Sequence, residues 1–169
     1  MPLDKSVLLD FLTVLDEEIS GKITIVAVGG TAMTLLDLKP STIDVDFTIP
    51  SKDKPILDKA LAKVPHGFKI DVWSDGLVFS QILPTDYLEK SVEIAHFQHV
   101  LLRALQPIDI VVTKIGRLDD RDVQDIEACI KRFDISRKQI EERAATVHYV
   151  GNEEIYRNNL NYVLEKLLR

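Results

Sequence analysis

Two aspartates stand two residues apart in the run Ile43-Asp44-Val45-Asp46-Phe47. In a strand, side chains at that spacing share a face. Asp44 and Asp46 would then project together, while Ile43, Val45 and Phe47 fill the opposite face. Like charges side by side resist joint ionisation unless a cation lies between them. Hard carboxylate oxygens in such a pair suit Mg²⁺ or Mn²⁺ shared with phosphate oxygens. The same pattern also describes the solvated face of an edge strand. A third acid, Asp71, lies in Lys69-Ile70-Asp71-Val72-Trp73. It either completes a three-carboxylate set with Asp44 and Asp46 or pairs with Lys69. Upstream, Val28-Gly29-Gly30-Thr31 joins an apolar run to a helix-forming one. Glycines let the backbone turn sharply and approach a ligand closely. Free amides at a helix start form an anion site, to which Thr31 adds a hydroxyl. Taken alone, a Gly-Gly turn is more often just a tight connection with no ligand.

These residues need elements to hold them. Asp4 caps a predicted helix in which Val7, Leu8, Phe11, Leu12 and Leu15 recur at steps of three and four up to about residue 20. Residues 23–28 form an apolar, β-branched run that reads as a buried strand. A short helix follows over 31–38, a strand over 43–49, a helix over 53–64 and a strand over 68–73. Residues 74–90 are rich in turn formers and read as irregular. Residues 92–97 and 100–105 read as two strands of a hairpin, and beyond Pro107 the pattern is helical over 108–118, 121–133, 137–149 and 153–168. Ser136 with Gln139 fits a capping box, and Asn152 an N-cap. The expected fold class is α/β (α+β): a sheet flanked by helices with a helical C-terminal part. Residues 1–106 would form the core and 107–169 the helical part packed on it, as one compact domain.

Lys114, Arg117 and Arg121 fall at steps of three and four, so a continuous helix would present them on one face. Such a stripe suits phosphate; alternatively, Asp119, Asp120, Asp122 and Asp125 are near enough in sequence to pair with it. Lys39, just before the two-aspartate strand, is a further candidate phosphate contact or a plain exposed lysine.

In order, these pieces are a strand, Gly-Gly-hydroxyl, a short helix, hydrophobic-Asp-hydrophobic-Asp-hydrophobic, then a later strand bearing one Asp, with thirteen residues between Gly30 and Asp44. The order resembles the DNA polymerase β-like nucleotidyltransferase superfamily. The phrases Gly29-Gly30-Thr31-Ala32-Met33 and Ser41-Thr42-Ile43-Asp44-Val45-Asp46, with the stretch 105–126, look like the small prokaryotic AbiEii-type and domain-of-unknown-function nucleotidyltransferases, some of which are toxins of toxin–antitoxin pairs. The resemblance spans roughly residues 20–130 and implies a mixed β-sheet. It also implies one or two Mg²⁺ or Mn²⁺ on Asp44, Asp46 and Asp71, with Asp71 helping to deprotonate an attacking hydroxyl. Gly29, Gly30 and Thr31 would hold the triphosphate, and Lys39, Lys114 and Arg117 would add charge to the nucleotide site. The implied reaction moves a nucleoside monophosphate from a nucleoside triphosphate to a hydroxyl on RNA or tRNA, a protein or a small molecule. An antitoxin-like partner and a homodimer belong to the same expectation. The alternative is an inactive scaffold that binds nucleotide or a partner protein.

The composition is that of an ordinary globular domain. Of 169 residues, 46% are hydrophobic and 28% charged, and the net charge is −6, which disfavours a broad basic surface for nucleic acid. The one cysteine, Cys129, excludes an internal disulfide and reads as a core residue. The four histidines do not cluster, and no Walker lysine motif, Gly-x-Ser-x-Gly elbow or His-Glu-x-x-His is present. No apolar run approaches the roughly 18 residues of a membrane span, and no leader pattern opens the chain, so a cytoplasmic location is expected. In the last helix Ile155, Leu160, Val163, Leu164 and Leu167 form an apolar stripe, either core or a self-association face.

Overall fold

The computed structural model describes residues 2–168. In chain order the elements are α1 (Lys5–Glu17), β1 (Ile23–Ala27), α2 (Gly29–Leu35), β2 (Val45–Ile49), α3 (Lys54–Leu61), β3 (Ile70–Ser74), β4 (Leu77–Val78), β5 (Gln81–Ile82), α4 (Tyr87–Lys90), β6 (Val92–His96), β7 (Val100–Ala104), α5 (Pro107–Lys114), α6 (Asp120–Phe133), α7 (Arg137–Ala144), β8 (His148–Tyr149) and α8 (Glu153–Lys166). The expected α/β class with a mixed sheet is what the chain adopts.

The main sheet has the order β3-β2-β1-β7-β6. β1 runs antiparallel to β2 and parallel to β7; β2 and β3 are parallel, and β6 and β7 antiparallel. Burial follows position. Central β1 and β2 are almost wholly buried, as expected of strands covered on both faces, whereas the edge strands β3 and β6 are half-buried or exposed. α1 starts where Asp4 accepts a hydrogen bond from the Val7 amide, and it buries Leu8, Phe11, Leu12 and Leu15. The predicted capping box at Ser136 and Gln139 and the cap at Asn152 are both formed. α5 lies at the centre of the helical part, against α2, α6 and α7. α8 is tied to it where the Tyr156 hydroxyl donates to Val112 O at 2.9 Å and Asn159 donates to Ile115 O at 2.8 Å.

The structure departs from the sequence reading in four places. Residues 74–90 are not irregular: β4 and β5 form a hairpin, and β8 joins it to make a second, three-stranded sheet. The C-terminal part is therefore not all helical, and its one short strand pairs with the part before it. The helix expected over 108–118 ends at Lys114, and Leu118 takes a positive φ of 51° before α6 begins. Asp44 lies in a bend just before β2 instead of inside it. Ile43, expected in the core with Val45 and Phe47, is 58% exposed. Of the stripe on α8, Val163 and Leu164 are buried, Leu160 and Leu167 pack against the same core, and Ile155 stays exposed. Cys129 is fully buried beside the sulfur of Met33 at 3.5 Å, and burial pushes its thiol up to about 12, so it acts as core.

Candidate active site

Asp46 and Asp71 are direct register partners on the parallel strands β2 and β3, so their side chains emerge beside each other on one face of the sheet. Asp44 reaches the same place from the bend. Its backbone carbonyl accepts from the Thr42 hydroxyl at 3.0 Å, and Thr42 is itself clipped to Leu3 by two backbone hydrogen bonds, 2.7 and 3.0 Å long. All three acids line one cavity of about 460 Å³, together with Gly30, Lys39, Lys114, Arg117 and Arg121.

Below this cavity lies the turn from β1 into α2. Gly29 has φ +54°, and a Cβ there would stand 3.5 Å from Asp46 Oδ2. Gly30 is close-packed too, since a Cβ would come within 2.9 Å of Thr42 Oγ1. The two glycines thus let the helix start pass directly under the acids. Thr31 is buried, and its hydroxyl is already engaged: it accepts from the Asp46 amide at 2.9 Å and donates to Asp44 O at 3.3 Å. It clasps the acid-bearing segment to α2 instead of offering its hydroxyl to a ligand, which corrects one expectation. Gly30 reaches the cavity, while Gly29 and Thr31 lie beneath it.

Electrostatically the acid wall is crowded. Asp46 is only 8% exposed, and burial, then the charges of Asp71 and Asp44, push its carboxyl up to about 6. Lys69 sits 3.2 Å from Asp71 and is largely exposed. Asp71 thus pairs with Lys69 and also stands beside Asp46. Three hard carboxylates, one buried and burdened with like charge, fit a divalent cation by donor chemistry. Their present spacing is open: among the described residues, no three His, Cys, Asp or Glu side chains close on one point.

The opposite wall is a lattice of ion pairs. Lys114, 4% exposed, holds Asp122 at 3.3 Å and Asp125 at 2.9 Å. Lys39 reaches Asp125 at 3.3 Å. Arg117 grips Asp122 with two hydrogen bonds, Nε at 2.7 Å and Nη2 at 2.9 Å. Burial pushes the Asp122 carboxyl up, but the Arg117 bonds and the Lys114 charge outweigh it and hold the group below the ordinary carboxylate range. Lys114, Arg117 and Arg121 do meet at the cavity, although not as one helix face, because the helix breaks between them. Arg121 is exposed, with no ion pair among the described residues.

The sequence reading does not single out Phe79. With Ser80 it forms the two-residue turn between β4 and β5, where a positive φ favours Asn or Gly. Phe79 has φ +55°, at a cost of roughly 1–2 kcal/mol for a side chain of this kind. Its ring lies 5.0 Å from that of Trp73, 5.0 Å from the Arg117 guanidinium, and at the edge of the cavity. A large aromatic among the turn formers of 74–80 was the one local clue.

Residues 8–168 match the family described as Nucleotidyltransferase of unknown function (DUF6036). No curated protein sequence matches the chain significantly. Two solved structures share its fold. The crystal structure of ANT(2″)-Ia in complex with adenylyl-2″-tobramycin has a TM-score of 0.56 at 12% identity, over 83% of this chain and 94% of that one. The solution structure of the antibiotic-resistance factor ANT(2″)-Ia has a TM-score of 0.56 at 11% identity, over 83% of this chain and 89% of that one.

Proposed function

This chain belongs to the DUF6036 family of nucleotidyltransferases, and we propose that it moves a nucleoside monophosphate from a nucleoside triphosphate to an acceptor hydroxyl in the cavity bounded by Asp44, Asp46 and Asp71. The observation that carries this reading is the register pairing of Asp46 with Asp71 above the Gly29-Gly30 turn, with Asp44 at the same cavity. The three carboxylates are assigned to hold Mg²⁺ or Mn²⁺, which when bound supplies charge neutralisation at the phosphates and the attacking oxygen. Gly30, together with the amides that open α2, is assigned to the triphosphate. Asp71 is the carboxylate of the edge strand and partly exposed; it is assigned to take the proton of the acceptor hydroxyl. The acceptor oxygen bonds to the α-phosphorus, the bond to the β-phosphate oxygen breaks, and pyrophosphate leaves. Lys39, Lys114 and Arg117 contribute positive potential from the facing wall, while their acid partners hold them in place.

The cavity's size and the chain's charge bear on the acceptor class. A volume of about 460 Å³ with a net chain charge of −6 favours a small molecule, a tRNA end or a protein hydroxyl over a long nucleic acid gripped by its phosphates. The shared fold with a protein solved with adenylyl-2″-tobramycin supports the small-molecule member of that set. An AbiEii-type subfamily, a toxin role with an antitoxin-like partner, a cytoplasmic location and a division into residues 1–106 and 107–169 remain parts of this proposal. Among the described residues no helix is long and apolar enough to cross a membrane.

The test is incubation with each α-labelled nucleoside triphosphate, Mg²⁺ or Mn²⁺ and total cell extract, beside an Asp44→Asn/Asp46→Asn control. Label on RNA, protein or a small molecule with the native chain alone supports transfer and identifies the acceptor. Nucleotide binding that survives in the control, with no label from either protein, would favour the inactive scaffold.

A further inference from the structure

Most of the residues that line the cavity are charged, and among the described residues that line it the one aromatic ring is that of Phe79. Three observations make that ring a prepared surface. It is carried by a turn residue in a backbone region that phenylalanine rarely occupies, at φ +55°. It is buttressed by Trp73, with ring centroids 5.0 Å apart at 60°. The Arg117 guanidinium lies over it at 5.0 Å, and Arg117 cannot swing freely because Asp122 holds it through two hydrogen bonds. The turn itself is fixed from behind. Val150 N donates to Ser80 O at 2.8 Å, and Gly116 lies so close to Gln81 and Tyr149 that a Cβ there would clash at 2.6 Å.

We propose that Phe79, with the Arg117 guanidinium held over its ring, is the stacking platform for the nucleobase of the nucleoside triphosphate. This rests on the transfer reading above. The ring edge stands 3.7 Å from the position of a Cβ on Gly29, and Asp46 Oδ2 lies 3.5 Å from that same position. A nucleotide whose phosphates meet the acids would therefore have the ring within one nucleoside's reach. Every base has a π-face, so stacking contributes affinity with little selectivity between bases. The platform separates a nucleoside triphosphate from a bare polyphosphate. Arg117 then serves as a flat surface more than as a phosphate clamp, since Asp122 already takes its hydrogen bonds.

Trp73, the single tryptophan of the chain, is a built-in reporter of this ring. The experiment titrates the native protein, Phe79→Asn, Phe79→Leu, Phe79→Trp and Asp46→Asn with each nucleoside triphosphate and with inorganic tripolyphosphate, in Mg²⁺ and without acceptor. Trp73 emission is followed for all but Phe79→Trp, and calorimetry for all five. Phe79→Asn suits the positive φ, and Phe79→Leu keeps apolar bulk against Trp73, so thermal denaturation reports folding in each. The expected result is about a 10-fold loss of nucleoside triphosphate affinity in Asn and Leu, no change for tripolyphosphate, and near-native binding in Phe79→Trp. Asp46→Asn should weaken both ligands. Native affinity in the Asn and Leu variants, or an equal loss of both ligands, overturns the platform. Failure of the native protein to bind any nucleoside triphosphate would instead defeat the transfer reading beneath it.

Discussion

Asp44, Asp46 and Asp71 crowd one wall of the cavity, with Lys69 drawn to the outermost of them. Across from them, Lys39, Lys114 and Arg117 are each matched to Asp122 or Asp125. Both walls contain buried carboxylates, yet the environments push them in opposite directions. Asp46 is raised to about 6, and Asp122 is held below the ordinary range. A buried acid with its cations in place is scaffold. A buried acid among other acids carries a cost that a ligand can relieve, which is how functional sites differ from structural ion pairs.

The largest expected effect lies on the crowded wall. Asp44→Asn should reduce nucleotide transfer by at least about a thousand-fold with the fold intact, judged by labelled product and by circular dichroism. Comparable activity in this variant would break the division between the walls. On the matched wall the loss should appear in stability. Lys114→Met leaves Asp122 and Asp125 without their buried ammonium, and breaking such a pair costs about 3–5 kcal/mol in chemical denaturation.

At Asp46 the usual sign of a carboxylate's pH dependence is reversed. Because the Asp46 carboxyl is raised from 3.8 to about 6 in the folded chain, its favourable term is fully present below about pH 3.8 and lost as pH rises through 6. In chelator, Asp46→Asn should therefore be more stable than the native chain above pH 6, by up to about 3 kcal/mol, with the gain vanishing near pH 3.8. Denaturation midpoints across pH 4–8 test this. Asp122 has the opposite sign: its ion pairs stabilise above the unfolded carboxylate range and fade as pH falls through it. The smallest effect is at Arg121, exposed at the cavity and without an ion pair among the described residues. Arg121→Ala should change unfolding by less than about 0.5 kcal/mol.

Local features were readable in the residues themselves. The Gly29-Gly30 turn, the spacing of Asp44 and Asp46, the caps at Asp4 and Ser136 and the hairpin of β6 and β7 all depend on neighbours in sequence. What escaped depends on distant partners. β8 is two residues long and exists because β5 lies beside it. The break at Leu118 folds Asp122 back onto Lys114 and Arg117, which spacing alone presented as one cationic face. Ile43 follows the alternation of a strand, but the clip between Leu3 and Thr42 holds that segment as a bend and leaves the side chain exposed. Phe79 occupies a turn position where Asn or Gly is the usual signal, so its place at the cavity appears only once the hairpin is packed.

The most direct test of the contrast between the walls is thermal denaturation of the native chain and Asp46→Asn at pH 7.5 against increasing Mg²⁺ or Mn²⁺ with a nucleoside triphosphate present. The account predicts that the native midpoint starts lower and climbs with the cation, while the variant starts higher and stays nearly flat. Parallel rises in both proteins, or a flat native curve, would contradict it.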